Sequence, residues 1–167
     1  MPGRLRAAAR RQALEEQLIE TWVIHNRINL YLLDAIAESA IKAVAAPKTR
    51  SVHDLVAHIH NVRLMWLKSA APDLLAGLDK IEKDSDFNKK QLTTALKASG
   101  KGIEQLIKRS VSEGGKVKGF KPHVVAFVAY LISHESHHRG QLTWALKLSG
   151  QPLSQKASFG LWEWGVR

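Results

Sequence analysis

Residues 8–44 contain neither glycine nor proline, and apolar side chains recur among them at helical spacing, at Leu18, Trp22, Leu33, Ile36 and Ala40. The spacing predicts one long first helix that stops by Pro47, since proline cannot continue the hydrogen-bond ladder and disfavours helical geometry in the residue before it. Ser51 with Asp54 three residues on reads as a capping box, and Leu55, Ile59, Val62 and Trp66 carry a second helix to about Ser69. Pro72 and Gly77 then bracket a looser stretch, and the charged residues 79–90 read as solvated. Leu92, Leu96, Ile103, Leu106 and Ile107 predict a third helix over about residues 88–111. Gly100 and Gly102 weaken its middle and point to close packing there.

A glycine-rich connection spans residues 112–122, and a fourth helix starts near Pro122, a favoured first-turn residue, and ends at Gly150. Residues 151–167 show no clear period, yet they hold Phe159, Trp162 and Trp164 and are expected to pack back on the body. Four amphipathic helices without an alternating strand pattern predict an all-α fold, a four-helix bundle, in a single domain over residues 1–167. Bundles of this kind build metal sites from side chains on facing helices.

Composition narrows the chemistry. The chain has no cysteine, which excludes disulfides, iron–sulfur clusters, zinc ribbons and a cysteine nucleophile, so any metal must be held by nitrogen and oxygen. No apolar run approaches the roughly 20 residues needed to cross a bilayer, and the first residues lack a secretory apolar core, so a cytoplasmic protein without a membrane partner is expected. The formal charge of +10 raises the prior for an anionic partner. Apart from Arg4, Arg6, Arg10 and Arg11 near the start, however, the cations are scattered and form no nucleic-acid signature, so no nucleic-acid partner is expected.

Six of the eight histidines fall in two groups, His53, His58 and His60 on the second helix and His134, His137 and His138 on the fourth. Placed on a helical wheel at roughly 100° per residue, only His58 of the first group borders the apolar face, while His53 and His60 point to solvent. On the fourth helix the face made by Phe127, Leu131, Ala145 and Leu148 contains His134, His138 and Gln141, with His137 on its flank. A single inward histidine is ordinarily a satisfied core residue. Two at i, i+4 on an apolar face, with a third facing them from another helix, are instead the pattern of a ligand set. Three neutral imidazoles suit zinc, nickel, iron or copper and leave a coordination position open.

The run Leu-Ile-Ser-His-Glu-Ser-His-His-Arg-Gly-Gln-Leu, residues 131–142, resembles the His-x-x-x-His-Arg-Gly-Gln signature of DinB-like proteins, and residues 51–67 resemble that family's earlier helix with its one ligand histidine, matched by His58. The resemblance extends from the first helix, with polar Asn26 and Asn29, to the final Leu-Trp-Glu-Trp-Gly. It implies a DinB-type bundle with a long crossover connection, one divalent transition-metal ion (Zn, Ni or Fe) on His58, His134 and His138, and often a homodimer. Members include metal-dependent transferases that use low-molecular-weight thiols and a maleylpyruvate isomerase. The expected function is therefore a metal-dependent enzyme acting on a small molecule, of thiol-dependent transferase or isomerase type. The alternatives are a non-catalytic metal- or ligand-binding bundle and a metal-dependent hydrolase.

Three neighbouring residues carry expectations of their own. Gln141, one turn beyond His138, can hydrogen-bond a ligand ring or simply pack. Gly140 would admit a neighbouring helix, and Arg139 would tie the fourth helix to the tail or to a carboxylate. Surplus aromatics, Trp22, Trp66 and Trp144 among them, would supply a face for a symmetric dimer. Metal hydrolases of the His-Glu-x-x-His kind place a glutamate beside the ion as general base, and Glu135, turned about 100° from His134, is badly placed to be one.

Overall fold

The computed structural model describes the backbone of residues 2–83 and 85–167, and side chains at Arg10 and from Gln12 onward except Asp84. Of the basic residues near the start, Arg4, Arg6 and Arg11 therefore lie outside the described side chains. Helix α1 runs Pro2–Ala35, α2 Val52–Ala70, α3 Lys89–Ser112, α4 Val124–Leu148, and a short α5 Gln155–Gly160. Strands β1 (Lys116–Val117) and β2 (Phe120–His123) pair antiparallel between α3 and α4 and form the one sheet among the described residues. Both α1 and α2 pack on α3 and α4, so the four long helices close around two apolar clusters, one holding Leu33, Leu55, Leu96 and Leu142 and the other Trp22, Leu67, Ile103 and Phe127. The all-α bundle expected from the periodicity is thus present. None of its described helices is long and apolar enough to cross a membrane.

The first helix ends at Ala35, nine residues before the expected Val44. Its last carbonyls are taken by a side chain from α3, because Lys89 Nζ donates to Asp34 O at 2.7 Å and Ile36 O at 2.8 Å. The apolar period misleads here because the chain goes on burying Ile36, Ala40 and Ile41 after the helix has stopped, through a 3₁₀ turn at Glu38–Ala40. Ser51 and Asp54 do form the capping box that starts α2, and Asn88 with Gln91 forms another that starts α3.

Residues 79–90 are not a freely solvated stretch. Asn61 Nδ2 donates to Ile81 O at 2.8 Å, and Ile81 N donates back to Asn61 Oδ1 at 3.0 Å, so the segment is strapped across α2 with Ile81 buried under it. This strap also corrects the placement of two histidines. His53 and His60, expected at the surface, are 0% and 1% exposed. His60 is clasped between Ala95 O at 3.0 Å and Asp79 O at 2.9 Å, and His53 Nε2 lies 3.3 Å from Ser85 Oγ.

Gly100 and Gly102 mark close contacts as expected: an added Cβ would sit 2.5 Å from Asn26 at the first and 2.8 Å from Leu67 Cδ1 at the second. The glycine-rich connection is a hairpin, with Gly119 at φ +85° in its turn. Pro122 belongs to β2, and α4 starts two residues later with His123 as its cap, accepting from Ala126 N. The tail returns to α1, where Gly160 leaves no room for a side chain against Tyr31 and the Arg167 guanidinium lies 3.8 Å over the Tyr31 ring. Its aromatics do not all follow, since Phe159 is 64% and Trp162 80% exposed.

Candidate metal centre

His134 and His138 stand one turn apart on α4, and α2 brings His58 to face both. The His58 ring centroid lies 4.6 Å from that of His138 and 5.4 Å from that of His134. The three rings offer ligand atoms that all lie within 4.8 Å of one another, and the Nε2 atoms of His134 and His138 are 3.1 Å apart. Nitrogens bound to one tetrahedral ion at 2.0–2.1 Å stand about 3.3 Å apart, so small adjustments suffice. His138 is buried while His58 and His134 are half-buried, which leaves the cluster open on one side.

The donor set fits a cation. His138 Nδ1 is 2.8 Å from Gln141 Oε1, a bond in which Nδ1–H donates and Nε2 keeps its lone pair directed at the cluster. His134 Nδ1 is buried without a hydrogen-bond partner among the described residues. Two imidazole nitrogens facing each other at 3.1 Å beside such an orphan are poorly satisfied by protein groups alone. Burial, the nearby charge of Arg50 and the two other rings push His58 down to about 4. Burial also lowers His134, against Glu135, and lowers His138, against its bond to Gln141. All three rings are thereby held neutral at pH 7, the state that ligates.

On α4 the buried stripe comprises Val124, Phe127, Val128, Leu131, Glu135, His138, Leu142, Ala145 and Leu146. His138 lies on it as expected, but His134 sits at its margin, Gln141 and Leu148 are exposed outside it, and the charged Glu135 occupies its centre. Arg63 of α2 meets Glu135 with two bonds of 2.7 Å, from Nε to Oε1 and from its NH2 group to Oε2. From α1, His25 Nε2 lies 2.8 Å from Glu135 Oε2 and Asn29 Nδ2 donates to the same oxygen at 2.6 Å. The Arg63 NH1 group donates to Asn26 Oδ1 at 2.9 Å and to Leu96 O of α3 at 2.8 Å. One buried network thus touches all four long helices directly beside His134. Burial alone would raise the Glu135 carboxyl, but the charge and hydrogen bonds of Arg63, with those of His25, hold it well below the usual carboxylate range.

Sequence reasoning missed this network, although a signal existed. Arg63 continues the i, i+4 line of Ile59 and Leu67, and Glu135 sits four residues after Leu131, so opposite charges lie on two apolar stripes. Two other expectations are corrected here. Arg139 donates to Asn29 Oδ1 at 2.7 Å and Ser136 Oγ at 2.7 Å, so it reaches the Glu135 carboxylate through charge and through Asn29, and among the described residues no hydrogen bond ties it to the tail. A Cβ added at Gly140 would meet none of the described residues within 4 Å, so no described neighbouring helix uses its missing side chain. Trp22 is fully buried with Nε1 donating to Gly100 O, and Trp66 packs edge-on against Phe120, Phe127 and Tyr130, so only Trp144 of the three stays available to a partner.

Fold and site together define a helical bundle with a three-histidine group able to hold a metal ion. The DinB family model matches residues 10–156, nearly the whole chain, and the chain belongs to the DinB family. No curated protein and no solved structure matches it significantly.

Proposed function

We propose that the protein holds one divalent transition-metal ion (zinc, nickel or iron) with His58, His134 and His138, and acts with it on a small molecule as a thiol-dependent transferase or isomerase. The observation that carries this reading is the open cluster of three neutral imidazoles whose neighbouring carboxylate is already committed: both oxygens of Glu135 are bound by Arg63. When bound, such an ion supplies Lewis acidity and lowers the pKa of a coordinated thiol. The protein's own part is to keep the three rings unprotonated, to orient His138 through Gln141, and to leave one side of the cluster open to a substrate. Because the chain has no cysteine, the thiol would be diffusible and of low molecular weight. This reading favours a cytoplasmic protein, and Trp144 with Leu148 one turn on, both exposed, gives a second copy an apolar face to use. A bundle that binds metal without catalysis would share the donor set and differ in the assay alone.

Elemental analysis of the purified chain tests the metal assignment. About one ion per chain is expected, with the ion lost in His58→Ala, His134→Ala and His138→Ala and retained in His137→Ala, an exposed neighbour in the same motif. Retention of full stoichiometry in the His58 variant would remove α2 from the site.

A further inference from the structure

The loop before α2, the first turn of α2 and the later turns of α4 border a half-open cavity of about 340 Å³ whose walls include Thr49, Arg50, Leu55, Gln141 and Trp144. It adjoins the histidine cluster on two sides: Gln141 is the hydrogen-bond partner of His138, and Leu55 lies one turn before His58. Among the described residues Arg50, an exposed side chain, is the one charged residue lining it. The loop that carries Arg50 is fixed, since Thr49 Oγ1 accepts from Ala46 N at 3.2 Å and donates to Ala46 O at 2.7 Å, while Val44 bridges to Ser51, the cap of α2. Among the described residues no carboxylate pairs with Arg50, in contrast to Arg63, Arg109 and Arg167, each of which has one. Its charge nevertheless reaches all three imidazoles of the cluster.

We infer that this cavity is a substrate subsite for a small carboxylate, with the anion on the Arg50 guanidinium and the apolar body against Trp144 and Leu55. A planar guanidinium matches a carboxylate with two parallel hydrogen bonds. A single guanidinium in an open cleft with no second cation on its lining matches the one negative charge of a carboxylate better than the two of a phosphate dianion. The excess of cations over the whole chain draws such an anion in. The inference rests on the reading of the adjoining cluster as a metal centre that works on a small molecule.

The test titrates the zinc-loaded protein, as wild type, Arg50→Gln and Arg50→Lys, with benzoate and with its neutral isostere benzamide, in a calorimeter at low ionic strength. Zinc content is measured on the same samples. Wild type is expected to prefer benzoate by about tenfold or more, Arg50→Gln to lose that preference while keeping its zinc, and Arg50→Lys to keep part of it. An undiminished preference in Arg50→Gln overturns the subsite, because the ion alone then attracts the carboxylate. Equal affinity for the two probes in wild type, or binding of neither, overturns it as well. The same titrations on metal-free protein separate the two readings. If the chain takes up no zinc, the metal assignment fails, yet a benzoate preference that depends on Arg50 still supports the subsite. If it holds zinc and shows no dependence on Arg50, the metal assignment stands and the subsite is discarded.

Discussion

Arg63 and Glu135 meet through two parallel hydrogen bonds of 2.7 Å each, from α2 to α4, with neither side chain more than 1% exposed. Removing one partner leaves the other charge buried and unpaired, which typically costs about 3–5 kcal/mol. Glu135→Gln is therefore expected to destabilise the chain by about that amount, read as a lowered urea midpoint, and Arg63→Met likewise. The double variant should cost much less than the sum of the two, since it strands no charge. A Glu135→Gln protein as stable as wild type would mean that the pair is not held as described. The variant consequently reports on the fold and is a poor probe of whether Glu135 serves as a base.

The histidines determine how stability responds to acid. Burial lowers His25, against Glu135, and lowers the three cluster histidines, so each is neutral in the folded chain at pH values where the unfolded chain has begun to bind protons. The stability these groups contribute is present above the unfolded value, about 6.5, and is lost as pH falls toward the folded value, about 4 for His58. Glu135, also depressed, adds a loss of the same sign below about 4.3. The melting temperature of the metal-free protein should thus fall steadily between pH 7 and pH 4. A temperature that rose over that interval would contradict the neutral-histidine assignment.

Two glycines on helices should respond oppositely to alanine. At Gly100 a methyl group would press on Asn26, whose Oδ1 accepts from Arg63, so Gly100→Ala is expected to cost about 1–3 kcal/mol through overpacking. Gly140 is exposed and a methyl group there would meet none of the described residues within 4 Å, so alanine should stabilise by about 0.5–1 kcal/mol through better helix propensity. Thermal melts of the two variants, shifted in opposite directions, would verify the packing on either side of the bundle.

What the sequence made legible was mainly local. The cap at Ser51, the extent of α3, and the one-turn spacing of His134 and His138 depend only on residues near one another in the chain; the first two are where the pattern predicts, while His134 stands at the margin of the stripe it was expected to share with His138. His53 and His60 were misplaced because a helical wheel knows the residues of its own helix and nothing of a strap such as residues 79–83 laid across it. Ile36 and Ala40 kept an apolar rhythm through a chain that had already left the helix. The pair Arg63 and Glu135, separated by 72 positions, becomes favourable only once two helices are set side by side, so neither residue alone announces it.

Gln141 is predicted to act through His138. Its Oε1 fixes which nitrogen of that ring carries the proton, and loss of such a partner typically lowers metal affinity 10- to 100-fold. Gln141→Leu should therefore bind zinc more weakly by about that factor, and Gln141→Glu, which keeps the acceptor, should recover most of it. Competition with a chelator of known affinity measures this directly. Because Gln141 is exposed, neither change should move the melting temperature of the metal-free chain.

The last prediction concerns the reaction. A metal hydrolase of the His-Glu-x-x-His kind uses a glutamate beside the ion as its base, and here the carboxylate nearest in sequence to the ligands is bound through both oxygens to Arg63 and held ionised in the core, with no vacancy for a water's proton. Asp54 on α2 is engaged with Ser51 at the start of the helix. A coordinated thiol needs no such base, since the ion itself stabilises the thiolate. Activity is therefore expected to require both the metal and an added low-molecular-weight thiol, to vanish in His138→Ala, and to be absent when the thiol is replaced by the corresponding alcohol. Rapid turnover of an ester or amide by the metal-loaded protein without any thiol would displace this reading in favour of hydrolysis, with the base supplied by some residue other than Glu135.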